Sequence, residues 1–268
     1  MRNRKLGEKD FWALRNSLDS RQSISSLGVI LIVSIFINAI LFLIVYLVVS
    51  DYSTYPNVES IFKVHLYITV TLSLLSLIFG LPTVYKRFEK IQYLISIIVS
   101  QNTFGAFPLL LALFAFGNVY GVTQNNLLTI TKLALFAGVL VFLITSIRLF
   151  LLLKRGEYRA DSSKDKVRNK WEHFVSGNLP IFIAIGVGIV FIIQFLFRVI
   201  PLGDFDIIIM GTLSILIYLT MLFVLPEQLV MLYCKIRYES FNHNRKGNLK
   251  PFGFKTPQKK KKKNYKVR

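Results

Sequence analysis

The chain has one cysteine, Cys234, among 268 residues. A lone thiol excludes an internal disulfide and any multi-cysteine metal site, and a small apolar role near a membrane face suits it. Histidine is nearly as scarce. His65, His173 and His243 are scattered, and none has a second ligand at helical spacing, so no metal site is expected. Charged residues make up only 18%, against 53% hydrophobic, where a soluble domain carries about a quarter charged. There is no phosphate-cradling Gly-Lys motif, which argues against ATP hydrolysis by this chain alone. No cofactor motif is present.

The apolar residues gather into runs of roughly twenty, the length that crosses a ~30 Å hydrocarbon core as a helix. The reading is all-α and polytopic, with six transmembrane helices at 27–50, 61–84, 91–116, 127–153, 179–200 and 205–233. The first run is too long for a cleavable signal and no small-x-small site follows it, so it is read as a span.

Positive charge falls on every second connection. Arg2, Arg4, Lys5, Lys9, Arg15 and Arg21 precede the first span, and Lys86, Arg87 and Lys90 follow the second. Lys154, Arg155, Arg159, Lys164, Lys166, Arg168 and Lys170 follow the fourth, and a lysine-rich tail follows the sixth. The alternate loops, "DYSTYPNVES", "GNVYGVTQNN" and "RVIPLGDFD", are nearly bare of it. Lys/Arg-rich segments stay cytoplasmic, so both termini are expected inside, and six is the count consistent with the alternation. The +19 formal charge is mostly this topology signal. Lys-, Ile- and Asn-rich usage suits an AT-rich genome, and the expected location is a bacterial plasma membrane.

Three regions follow: a cytoplasmic amphipathic segment at 1–24, the six-helix domain at 25–233, and a polybasic, disordered tail at 234–268. Phe11, Leu14 and Leu18 share one helical face in the first region, flanked by Trp12. In the loop 154–178, Val167, Trp171, Phe174 and Val175 do the same behind a capping-box-like Ser162 and Asp165. Each stripe fits either a helix at the lipid headgroups or packing on the bundle's own cytoplasmic end.

Acids are missing from the span centres. Lys63, Lys132 and Arg148 lie near span ends and can extend to an interface. Arg198, Asp204 and Asp206 lie at the outer face and Glu227 at the inner one. Proton-coupled carriers and intramembrane proteases need embedded acids, bases or nucleophile sets, so the chain is read as non-enzymatic.

What the spans do contain is amide and hydroxyl. Ser100, Gln101, Asn102 and Thr103 stand together in "ISIIVSQNTFGAFPLLLALF", about nine to twelve residues into the third span and so near mid-depth at 1.5 Å per residue. Gly105 and Pro108 follow. Pro108 cannot donate the usual backbone bond, so the third helix is expected to kink or break near 101–108. Asn38 and Gln194 are the other strongly polar mid-span residues. The set fits a polar path around a discontinuous helix, or interhelical hydrogen bonds worth ~0.6 kcal/mol each. Ala184 and Gly188 in "FIAIGVGIVF" have small-xxx-small spacing, which permits close helix approach.

Lys259, Lys260, Lys261, Lys262 and Lys263 concentrate charge in the tail. They fit contact with anionic membrane lipids, an acidic protein partner, or nucleic acid or a ribosome. The leading functional expectation is a non-catalytic multi-pass component, scaffold or path-forming, of a bacterial transport or secretion assembly with protein partner subunits. The alternatives are a stand-alone small-solute carrier or channel, and a membrane immunity protein against a membrane-active toxin.

Overall fold

The computed structural model describes residues 6–16, 18, 22–160, 162, 204–244 and 247–252. The expected span 179–200 with Ala184, Gly188 and Gln194, the stripe at 167–175 and Lys259 to Lys263 lie outside the described residues.

The described chain is helical, with one isolated antiparallel bridge between His243 and Leu249 and no strand among the described residues. A 3-10 turn, Glu8–Phe11, leads into α1 (Trp12–Asn16). Then come α2 (Ile24–Leu43), α3 (Val58–Gly80), α4 (Pro82–Tyr85) and α5 (Glu89–Gln101). They are followed by α6 (Phe107–Phe116), α7 (Gln124–Arg155) and α8 (Phe205–Arg237). Joined through wide turns, they make five helices long and apolar enough to cross a membrane: Ile24–Val49, Val58–Gly80, Glu89–Phe116, Gln124–Arg155 and Phe205–Arg237.

Local chemistry sets the ends. The Ser23 hydroxyl accepts the Ser26 amide at 3.2 Å, starting α2, and Thr123 does the same for Asn126 at 3.4 Å before α7. Gly156 ends α7 in the left-handed region at φ 77°, where a side chain would be strained. α3 stops at Gly80, earlier than the expected 84, because Pro82 pushes Leu81 into extended backbone.

The helices face outward with apolar side chains. On α7, Leu133, Phe136, Ile144 and Ile147 are all more than 60% exposed, a surface that water would not tolerate and lipid would cover. α3 is polar on the inside instead. Its buried positions are His65, Thr69, Leu72, Ser76 and Gly80 at helical spacing, while Val64, Tyr67 and Leu74 point out. α2 crosses α3 at two glycines. A Cβ on Gly28 would meet the Tyr85 ring at 2.8 Å, and one on Gly80 would meet Ile32 at 2.6 Å, so the crossing depends on small residues. α5 packs on this pair, and α8 packs on α6 and α7.

The third long helix is continuous from Glu89 to Phe116. Between α5 and α6 it widens into a π-helical turn, Asn102–Ala106, where the Phe107 amide reaches back to the Asn102 carbonyl. The extra residue falls just before Pro108, whose ring would otherwise crowd the preceding turn. A second π-helical turn, Ile44–Val49, extends α2 without any proline.

The end of the bundle with the basic segments has its own core, formed by Phe11, Leu14 and Leu18 with Tyr93, Met231, Cys234 and Phe241. Thus the N-terminal stripe is spent on the bundle's own end, with Leu14 and Leu18 fully buried. The tail also begins later than its composition implies. α8 continues to Arg237, and residues 238–244 and 247–252 fold back onto the same core, burying Phe241, Asn242 and His243. Phe241, Leu249 and Phe252 supply the apolar anchors that outweigh the local charge.

Candidate functional site

Two polar arrangements stand out against this apolar frame. The first lies inside the bundle, where the two π-helical turns face α3. Tyr46 Oη is 3.0 Å from His65 Nδ1, and His65 Nε2 is 3.2 Å from Asn102 Oδ1. A neutral imidazole satisfies both: Nε2–H donates to the asparagine carbonyl and Nδ1 accepts the phenol proton. Next to it, the Thr103 hydroxyl is 2.7 Å from Asn38 Oδ1 and 2.9 Å from the Val99 carbonyl, so one proton serves two acceptors.

Phe107 packs against His65 with ring centroids 4.5 Å apart and the rings tilted by 56°, and Phe42 and Phe62 close the aromatic wall around Tyr46. Asn38, His65, Asn102 and Thr103 are all buried. The cluster is incompletely paired, since Asn38 Nδ2, Asn102 Nδ2 and Thr69 Oγ1 have no hydrogen-bond partner among the described residues. Buried amide donors without acceptors are rare and costly.

Of the polar residues expected to act together, Asn38, Asn102 and Thr103 are brought together. Gln101 turns the other way, its Nε2 donating to the Met221 carbonyl on α8 at 3.3 Å. There Pro226 cannot donate to the neighbouring Leu222 carbonyl, which loosens the backbone ladder. Ser100 bonds back to Ile97 in its own helix and joins neither set. Gly105 lies buried in the π-turn and Pro108 begins the following helix. His65 and Tyr46 were not among the expected residues. The available signal was the polar stripe His65, Thr69 and Ser76 along one face of an otherwise apolar span.

The second arrangement is charged and lies at the basic end. Glu89, the first residue of α5, pairs with Lys235 of α8. It also accepts the His243 backbone amide at 2.8 Å and lies 2.7 Å from His243 Nδ1. The Lys235 side chain is 0% exposed, and its ammonium also donates to the Phe241 carbonyl at 3.2 Å.

The surrounding segments are tied together. Asp10 pairs with Arg159 at 2.6 Å, and the Ala13 amide donates to the Tyr158 carbonyl at 2.9 Å. Arg15 donates to the carbonyls of Ser240 and Lys250 at 2.9 and 2.8 Å, and its guanidinium lies over the Phe252 ring.

An open cleft of about 370 Å³ adjoins this junction. Residues Lys86 to Ile91 form one wall, and Glu239, Asn242, His243 and Lys250 form the other. Lys250 pairs with Glu239, whose carboxyl is held below its ordinary range first by that hydrogen bond and then by the lysine charge. A smaller cleft between α7 and α8 has Arg148 and Glu227 in its wall.

No three His, Cys, Asp or Glu side chains converge as metal ligands among the described residues. No protein-family model, curated protein or solved structure matches the chain.

Proposed function

We propose that this protein is a non-catalytic, multi-pass component of a bacterial transport or secretion assembly. In this reading it crosses the plasma membrane six times, with both termini in the cytoplasm and the third helix bent at the Asn102–Ala106 turn. The carrying observation is the basic end. Four segments far apart in sequence are locked there into one platform by Asp10–Arg159, Arg15 and Glu89–Lys235–His243. The lysine run 259–263 follows that platform in the sequence. Such a surface suits docking of a partner, with the tail adding charge toward an acidic protein or the anionic leaflet.

Crosslinking in intact membranes, mild-detergent purification and mass spectrometry test this. Full-length protein is expected to retain a partner at fixed stoichiometry, and a chain ending at Gln258 is expected to lose it. A monomer that copurifies with nothing would refute the reading.

The buried cluster favours a second reading, a stand-alone carrier or channel for a small polar solute. The unpaired amide donors of Asn38 and Asn102 would serve a ligand with acceptor oxygens. Under this reading, Asn38→Leu with Asn102→Leu abolishes solute flux in reconstituted vesicles while the protein stays folded. Unchanged flux removes both residues from any path.

A further inference from the structure

The cleft at the basic end has more positive charge than its acids neutralise. Glu89 is already matched by Lys235 and His243, and Glu239 by Lys250. Lys86, Arg87 and Lys90 are exposed on the opposite wall and have no acidic partner within ion-pair distance among the described residues.

The start of α5 lies in the same wall, and Phe88 precedes it without a side-chain cap. The positive end of the helix dipole therefore adds to the cations, while the Glu89 carboxylate there is taken up by Lys235 and His243. An anion there meets charge and hydrogen-bond donors together.

The surface above the cleft indicates which anion. Phe88, Ile91, Leu94 and Ile98 follow one another along one face of the helix, each between 40 and 44% exposed. The stripe starts at the cleft wall and runs toward the bundle centre, along the surface that lipid would cover. A free phosphate would have no use for it, whereas a phospholipid would lay its acyl chains along it. We propose that this cleft holds the phosphate of an anionic glycerophospholipid through Lys86, Arg87 and Lys90, with its chains against Ile91, Leu94 and Ile98. Basic pockets between membrane helices bind such headgroups by this chemistry. The site rests on the membrane reading above and uses none of the tail lysines.

Native mass spectrometry of the full chain, titrated with phosphatidylglycerol or phosphatidylcholine, measures it. The anionic lipid is expected to bind at least tenfold more tightly. In K86Q/R87Q/K90Q its affinity should fall on the order of a hundredfold, about fivefold per cation. Since all three side chains are exposed, the variant should melt like the parent. Replacing Lys259 to Lys263 by Gln should preserve the preference. The proposal is overturned if the triple variant binds phosphatidylglycerol as the parent does, or if the preference disappears with the tail lysines. Millimolar inorganic phosphate that displaces the lipid would reassign the cleft to a free phosphate and overturn the lipid assignment, while retention of the lipid supports it. Loss of lipid binding would leave copurification of protein partners unaffected, so this proposal and the assembly reading fail separately.

Discussion

Glu89→Gln is expected to destabilise the purified protein by about 3–5 kcal/mol. The substitution preserves shape and keeps an acceptor for the His243 amide, but it removes the only carboxylate paired with Lys235 among the described residues. That lysine side chain has no exposure to water. What remains near its ammonium is the Phe241 carbonyl at 3.2 Å and the Tyr93 ring at 5.4 Å, which cannot replace a counter-charge. Breaking a buried pair costs more than the pair contributes, because an uncompensated charge is left in a medium that solvates it poorly.

The same argument predicts a rescue. Glu89→Gln with Lys235→Met removes the stranded charge and should recover most of the loss. Thermal unfolding in detergent reads both results, at roughly 2–4 °C per kcal/mol for a chain near this size. Glu239→Gln is the contrast, since the Glu239 and Lys250 side chains are 73% and 40% exposed and water screens their attraction to within about 1 kcal/mol. Parent-like melting of Glu89→Gln would show that Lys235 is solvated, and the platform would lose its central tie.

The membrane helices were legible because lipid imposes a length and a polarity on each of them, and both are local properties of the sequence. Asn38, Asn102 and Thr103 were legible for the same reason, as amides and a hydroxyl in apolar runs. The Glu89–Lys235 pair joins residues 146 apart, and no local pattern tells an acid that begins one helix that it faces a lysine ending another. Lys235 read as the start of a solvated tail because its neighbours are cationic, while the burial of Phe241 and Cys234 beside it depends on tertiary packing. His65 lacked a ligand-spaced neighbour, and its partners Tyr46 and Asn102 come from two other helices. Pro108 led to the expectation of a kink or break, where the helix continues through a π-helical turn, and the Ile44–Val49 turn contains no proline to mark it.

The buried cluster can be tested by an asymmetry between two residues that share one hydrogen bond. His65→Leu removes the acceptor of the Tyr46 hydroxyl and the donor to Asn102 Oδ1. Both partners are buried, and orphaning them should cost about 2–6 kcal/mol at 1–3 kcal/mol per group. Asn102→Leu breaks the same His65–Asn102 bond but also deletes an amide donor that already lacks a partner. Tyr46 keeps its acceptor at Nδ1 and only the His65 Nε2–H is orphaned, one buried group instead of two, so the loss should be about half as large, roughly 1–3 kcal/mol. Thermal unfolding of the two variants decides between roles for Asn102. A loss for Asn102→Leu as large as that for His65→Leu would make the asparagine interhelical glue and weaken the carrier reading. The smaller loss would mean that the fold does not require the buried amide, and its unpaired donor would then be explained by a bound solute with acceptor oxygens.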